Sequence, residues 1–342
     1  MMFLWIGLFI TIVNSVGILF IIKNAKKLKL LDIPNERSSH HKAKPKGAGV
    51  VTFFSFIISL FIFKLDFIKD YYPFFISLGI VFLVGLYDDV VGVRPKIKLL
   101  FIGVATLVLY LLSDFKIDDF GNWFGYDIKL PIYLALPFTI FVVSGYTNAL
   151  NLIDGLDGLA GGISFVIFLA FLYLGLTYHD SFITIVSFLY LISLLTFLVY
   201  NWYPSRIFMG DSGSLVLGFT ISVLSIELIK YISITSVLFL GAMPILDTLM
   251  VMIRRIQRGK SPFKPDKTHT HHKLFSWTRR VNLSVWFMIV FQITFSLFGI
   301  LVSKQNNIFN LLIFLFVVYI FLHIFDDRKT LRVKDNSIKS NK

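Results

Sequence analysis

The chain contains no cysteine. Disulfide frameworks, thiol nucleophiles, Cys-ligated zinc and iron–sulfur clusters are therefore excluded. Charge is scarce as well: Asp, Glu, Lys and Arg make up 15% of the 342 residues against 56% hydrophobic residues, and the mean hydropathy is +0.78. So few charges beside so much apolar surface exclude intrinsic disorder, a collagen-like chain and a soluble nucleic-acid-binding fold. Acidic charge is the scarcer sign, with 20 Asp and Glu against 33 Lys and Arg and a formal net charge of +13. On a soluble protein that excess would suggest nucleic acid; in a chain this apolar, the location of each charge decides. The composition predicts an all-α integral membrane protein, a polytopic bundle whose functional loops lie on one side.

A helix needs about 20 apolar residues to cross the hydrocarbon layer, fewer where flanking residues snorkel. Eleven segments qualify as candidates: 2–22, 47–68, 72–87, 99–113, 131–148, 159–178, 181–200, 213–229, 231–252, 283–303 and 306–325. Lys23, Lys26, Lys27 and Lys29 follow the first with no small-residue cleavage site, so it reads as a retained helix and not a signal peptide. With eleven spans, 27 of the 33 Lys and Arg fall on one side; Lys64, Lys69, Lys116, Lys129, Lys230 and Lys304 fall on the other. The rule that basic loops stay inside makes the rich side cytoplasmic, and the excess also suits anionic inner-leaflet lipid.

Acids near hydrocarbon are costly unless compensated. Asp88 and Asp89 close the third segment in GLYDDVVGV, Asp154 and Asp157 lie in NALNLIDGLDGLAGG, and Asp211 lies in FMGDSGSLVLGF. A topology drawn from Lys and Arg alone puts all three motifs on the cytoplasmic side. Any one Asp could be a helix cap, Asp211 for the helix after Ser212 and Asp154 or Asp157 for the sixth. Several carboxylates on one face repel one another and call for a cation. Oxygen ligands without Cys favour Mg²⁺, with Mn²⁺ as the alternative, over zinc.

The glycines among these acids, Gly155, Gly158, Gly161, Gly162, Gly210 and Gly213, allow backbone to approach a bulky group, and phosphate is the obvious one. The polar stretch 253–282 carries Arg254, Arg255, Arg258, Lys260, Asp266, His269, His271 and His272. A zinc site and a plain solvated loop are the alternatives to the preferred reading, a lid that holds His and Arg over a diphosphate. The first inside loop brings Arg37, His40, His41, Lys42, Lys44 and Lys46 before a Gly-rich helix start. Lys98 follows the Asp pair at headgroup height, as a snorkelling anchor or a partner for lipid phosphate.

Taken together, LLDIPNERSSH with PKGAG, GLYDDVVGVRPKIK, NALNLIDGLDGLAGG, NWYPSRIFMGDSGSL, PILDTLMVMIRR and SPFKPDKTHTHHKL resemble the polyprenyl-phosphate N-acetylhexosamine-1-phosphate transferase family over about 32–275. The HTHH form and LIDGLDG look more like the undecaprenyl-phosphate GlcNAc-1-phosphate transferases than the phospho-MurNAc-pentapeptide transferases. The resemblance implies a Mg²⁺-dependent phosphoglycosyltransferase of a bacterial cytoplasmic membrane. It would transfer a sugar phosphate from a UDP-N-acetylhexosamine to undecaprenyl phosphate, release UMP and start a lipid-linked envelope glycan, such as that of O-antigen and lipopolysaccharide. By the same resemblance Asp211 is a metal ligand with Asn151, and Asp154 and Asp157 lie close to metal and nucleotide. Asn201 and Phe208 line the uridine pocket, Lys98 holds the lipid phosphate, and Asp88 deprotonates it with Asp89 beside it. His269, His271 and His272, with Arg254 or Arg255, contact the diphosphate. Two positions depart from the pattern, Ala48 where Gly is common and Lys46 where Arg or Thr is.

A membrane ion transporter is the rival class, and it predicts acids through the whole membrane depth. Glu227 and Asp247 lie away from the three motifs, and Asp247 is placed to pair with Arg254 along one helix face. A prenyl-diphosphate transferase would need DDxxD, which Asp88–Gly92 lacks. Residues 1–325 are expected to form one catalytic membrane domain, with 326–342 a basic cytoplasmic tail. No nucleic-acid partner is expected, a homodimer is one arrangement the sequence allows, and the outer segment 114–129 carries no functional signal.

Overall fold

The computed structural model describes residues 2–34, 43–261 and 269–325. Arg37, His40, His41, Lys42, Asp266 and the basic tail 326–342 lie outside these described residues. Helix α1 (Met2–Asn24) is followed by β1 (Leu31–Asp32), which pairs antiparallel with β2 (Lys44–Pro45), then by α2 (Ala48–Phe63) and the short α3 (Leu65–Asp70). Next come α4 (Tyr72–Val91), α5 (Pro95–Leu112), the antiparallel pair β3 (Asp119–Trp123) and β4 (Tyr126–Lys129), and α6 (Ile132–Ile153). The chain continues through α7 (Leu159–Thr177), α8 (Ser181–Asn201), α9 (Asp211–Leu228), α10 (Ile234–Leu240), α11 (Ala242–Gln257), α12 (Thr270–Thr278), α13 (Val281–Leu301) and α14 (Asn307–Ile324).

All eleven expected segments fall on helices, but the count of eleven spans is not reached by length. Among the described helices nine are long and apolar enough to cross a membrane, or ten if α10 and α11 count as one broken span. Helix α2 is apolar but has only 16 residues. The chain is a multi-pass membrane protein, because only helices satisfy their own backbone in hydrocarbon while presenting Leu4, Phe141 and Val199, each more than 70% exposed, to lipid. The all-α class holds, and the segment 114–129 adds the short β3–β4 hairpin to it. Its two-residue turn puts Phe124 and Gly125 at φ 54 and 88, the left-handed pair such hairpins need, and Asn122 Oδ1 accepts the Gly125 amide.

Helix α9 is the hub, buried along almost its whole length against α2, α4 and α6. Small residues let the backbones close on it. A Cβ on Gly49 would lie 2.1 Å from the Gly213 nitrogen, and one on Gly85 would lie 2.7 Å from the Asp211 carbonyl oxygen. Those two glycines set the start of α9 directly against α2 and α4.

The ninth segment is not a straight span: α10 and α11 meet at 88°. Pro244 offers no amide to the Leu240 carbonyl, and Gly241 marks the break. Gln292 of α13, fully buried, repairs it. Its Nε2 donates to the Leu240 carbonyl at 2.8 Å, and its Oε1 accepts the Met243 amide at 3.0 Å. Both freed backbone groups are thus paired without water.

Candidate active site

Helix α4 runs four residues past its apolar stretch, so Asp88 and Asp89 sit in its last turn, and Gly92 at φ 84 turns the chain into α5. Asp88 Oδ1 accepts the Val93 amide and closes that turn. Its Oδ2 accepts from Lys98 Nζ, in the first turn of α5, at 3.0 Å. The same ammonium donates to Asp211 Oδ2 at the head of α9. All three side chains are three-quarters or more buried, so one cation holds two carboxylates from distant parts of the chain.

Asp89 does different work. Its carboxylate accepts the Asp211 amide at 3.0 Å and the Ser212 amide at 2.9 Å, the first two of α9, with Lys46 Nζ at 3.7 Å. The cap of α9 therefore comes from another helix, which complements the positive end of its dipole. Gly210, at φ 78, has no room for a side chain, since a Cβ would lie 2.7 Å from Asp89 Oδ2. Asp211 does not cap its own helix, so the capping alternative fails and its carboxylate faces the site.

The turn between α6 and α7 supplies the next wall. Asp154 ends α6, and its pKa is pushed up to about 7, first by burial and then by the negative charges of Asp211, Asp89 and Asp157. Asp157 accepts from Lys44 Nζ at 3.2 Å and from the Ser205 amide at 2.9 Å. Neither Asp caps α7, whose N-cap is Gly158 at φ 82. The Gly158 amide donates to Asn201 Oδ1, and Asn201 Nδ2 donates to the Ile207 carbonyl, so this buried amide braces the pocket wall with both ends on backbone. Phe208 is clipped to the first loop, its amide donating to the Pro45 carbonyl at 2.9 Å and its carbonyl accepting the Ala48 amide at 3.2 Å. The Lys44 ammonium lies 4.9 Å over its ring. Asn151 Nδ2 donates to Ser214 Oγ at 2.8 Å, beside the Asp211 carboxylate.

The lid reading meets the site at one described point. His271 Nε2 lies over the Asp154–Gly158 turn, where a Cβ on Gly155 would be 2.6 Å away. Arg254 and Arg255, both buried, end α11 nearby in sequence, and His272 stands beside His271 with ring centroids 4.3 Å apart. The expected pairing of Asp247 with Arg254 is not formed. Asp247 instead accepts from the Thr270 amide and from Nδ1 of His269 and of His271, because α12 packs across α11 at that level.

The structure thus brings Asp88, Asp89, Lys98, Asn151, Asp154, Asp157, Asn201, Phe208 and Asp211 to one end of the bundle, with His271 over the Asp154–Gly158 turn, while Arg254 and Arg255 stand outside these contacts, buried at the end of α11. Sequence reasoning missed Lys44 and Lys46, read only as loop charge, Ser205, and Asp247 as holder of the histidines. The PKG spacing before α2 was the available signal for the lysines. The acids do not line a path through the membrane among the described residues. Glu227 lies at the opposite end, where its Oε1 accepts from Lys230 at 2.6 Å. For a metal, Asp88 and Asp211 share the Lys98 ammonium, Asn151 bonds to Asp211, and Asp154 lies within reach of the Asp211 charge, so the side chains the shelf offers are oxygen donors, the kind that suits a hard divalent ion. Among the described residues, the one group of three His or acidic side chains whose ligand atoms lie within 4.8 Å of one another is Asp247, His269 and His271, already joined by hydrogen bonds.

Comparison with known proteins adds a second line. The profile of glycosyl transferase family 4 matches residues 71–229. The chain is 32% identical over 305 residues to the probable undecaprenyl-phosphate N-acetylglucosaminyl 1-phosphate transferase of Bacillus subtilis, covering 88% of this chain and 84% of the relative. It is 33% identical over 295 residues to the undecaprenyl-phosphate alpha-N-acetylglucosaminyl 1-phosphate transferase of Thermotoga maritima, covering 86% and 87%. A phospho-N-acetylmuramoyl-pentapeptide-transferase of Staphylococcus aureus is 28% identical over 300 residues, covering 81% and 92%.

Proposed function

The chain belongs to glycosyl transferase family 4, and on that premise we propose that it transfers GlcNAc-1-phosphate from UDP-GlcNAc to undecaprenyl phosphate and releases UMP. The product would begin a lipid-linked envelope glycan at the cytoplasmic face of a bacterial inner membrane, the side that holds most of the Lys and Arg. One observation carries the reading: Lys98 holds Asp88 and Asp211 together at the membrane edge. Two phosphates must meet there, and each repels the other.

The oxygen donors at the shelf fit Mg²⁺, which Asp211 and Asn151 would hold and which, when bound, neutralises a donor diphosphate. Lys98 binds the acceptor phosphate. Asp88 faces that phosphate through the oxygen Lys98 now occupies and takes up its proton, while Phe208 offers a ring for uracil. Asp89 keeps the start of α9, and so Asp211, in place. His271 reaches the diphosphate side from above. Such a site works by positioning and charge stabilisation. An acceptor oxygen bonds to the sugar-linked phosphorus as the bond to UMP breaks. The engagement of both Asp89 oxygens with α9 supports this single step over an aspartyl-phosphate on that residue.

The test is UMP release by the detergent-solubilised protein across UDP-sugars, UDP-MurNAc-pentapeptide included, with and without undecaprenyl phosphate and Mg²⁺. Release that needs all three of UDP-GlcNAc, lipid and Mg²⁺ supports the proposal; preference for the pentapeptide donor, or release from none, defeats it. Sugar label held covalently on the protein in the absence of lipid would replace the single step with two.

A further inference from the structure

Asp247 has no place in the chemistry so far, yet it is among the most enclosed acids of the molecule, 1% exposed in the middle of α11. A carboxylate in that position is unfavourable unless its oxygens are matched by donors. The donors are three consecutive residues from beyond the 262–268 stretch. Oδ1 accepts the Thr270 amide, the first of α12. Oδ2 accepts from His269 Nδ1 at 2.7 Å and lies 3.2 Å from His271 Nδ1. His269, the N-cap residue of α12, makes no side-chain cap bond, so Asp247 supplies from another helix the anion that this N-terminus would otherwise lack.

The two rings stack at 5.3 Å and 29°, both turned with Nδ1 inward to one oxygen. A carboxylate accepts and cannot donate, so each Nδ1 that bonds it carries hydrogen. That fixes the tautomer and commits the Nε2 atoms to the opposite direction, the way a buried Asp orients a catalytic imidazole. For His271 the direction is given: Nε2 lies over Gly155, in the turn that holds Asp154 and Asp157.

From this we infer that Asp247 is a positioning residue for the transfer reaction. It sets the tautomer and aim of His269 and His271, so that His271 presents Nε2 to the diphosphate. The inference rests on the function proposed above for its kinetic part, and on the fold alone for its spectroscopic part. Asp247→Asn keeps size and shape but offers one oxygen and one N–H donor, which cannot satisfy three donors at once. Asp247→Glu retains the carboxylate.

The experiment uses the full chain in detergent, with ¹⁵N-labelled histidine and no substrate. In the wild type two rings show the Nδ1–H tautomer; in Asp247→Asn at least one of them reverts to Nε2–H, and Asp247→Glu restores it at least in part. In UMP release, Asp247→Asn lowers kcat by about 10²-fold or more with KM for the UDP-sugar within about threefold, following the loss seen when a buried Asp no longer orients its imidazole. Two rings with the same tautomers in wild type and Asp247→Asn overturn the inference, whether or not any UDP-sugar is turned over. So does a zinc ion retained stoichiometrically through chelator dialysis, since the nitrogens would then be ligands. A loss of kcat matched by an equal loss of folded protein, with KM and tautomers unmoved, also overturns it. If tautomers shift as expected while no donor yields UMP, the positioning stands and the proposed function falls.

Discussion

The two ends of the bundle carry similar numbers of acids and treat them differently. At the far end, Glu227 is paired with Lys230 three residues away, Asp66 with Lys69, and Asp114 with Lys116, while Asp180 caps its own helix through the Ile183 amide. Longer links occur there too, Tyr231 donating to Asp180 at 2.9 Å. At the shelf the partners are remote: Lys98 to Asp211 and Lys44 to Asp157 are each 113 residues apart, and Asp89 reaches amides 122 and 123 residues on. Local pairs stabilise the helix or loop they sit on and need no fold. Remote pairs exist only once five helices have met, and the structure maintains them against the cost of crowding carboxylates. That contrast separates an end held by mostly local pairs from a site.

The sharpest way to break the contrast is to neutralise one acid at each end. Asp211→Asn is expected to lower UMP release by roughly 10³-fold or more, the scale of a lost metal ligand, while the folded protein remains by size-exclusion profile; equal activity in Asp211→Asn and wild type would remove its role. Lys98→Ala should cost about 10²–10³-fold, the scale of one charge-stabilising group, with recovery when Lys98 is replaced by Arg limited by the different shape of the guanidinium.

A titration sharpens it. Asp154 is raised from the ordinary 3.8 to about 7 in the metal-free protein. A raised carboxylate binds more protons folded than unfolded between those values, so its contribution to stability is present at low pH and is lost as pH rises through about 7. A cation beside it reverses the preference. Mg²⁺ affinity is expected to rise by up to about tenfold per pH unit below the midpoint and to level above it, with proton release on binding measured by calorimetry in two buffers. Affinity flat from pH 5.5 to 8 would contradict this. At the core, Gln292→Leu leaves the Leu240 and Met243 backbone groups unpaired and should lower stability by about 1–2 kcal/mol, read by thermal unfolding in detergent. The smallest effect is Glu227→Gln, which removes the pair between a buried Glu227 and a half-exposed Lys230, worth about 0–1 kcal/mol, and should leave UMP release within twofold.

How much of this was legible in the sequence follows the same local and remote divide. Hydropathy located all eleven helical segments, since each depends on its own residues. Its apolar windows ended at 87 and began at 99, so it put Asp88 and Asp89 at the close of the third segment and Lys98 just before the fourth, where the structure has helix α4 running on to Val91 and α5 starting at Pro95. The break before α11 was written in Gly241 and Pro244, yet an apolar window averages over them. Lys and Arg asymmetry put Asp88, Asp154 and Asp211 on one side without the structure. It could not say that Asp89 caps α9, that Lys44 meets Asp157, or that Asp247 serves the histidines. Each of those depends on which helices touch, and a single sequence read for pattern does not contain that.

The absence of cysteine makes the central claim directly measurable. Single substitutions Ile97→Cys beside Lys98, Leu152→Cys beside Asn151 and Tyr203→Cys before Ser205 place exposed thiols on the shelf, and Phe124→Cys places one on the hairpin turn. With a membrane-impermeant maleimide, the account predicts that all three shelf cysteines are protected in intact cells and labelled in inverted vesicles, and that Phe124→Cys does the opposite. Ile97→Cys and Tyr203→Cys reacting from opposite sides, or the shelf reacting in intact cells, would contradict it.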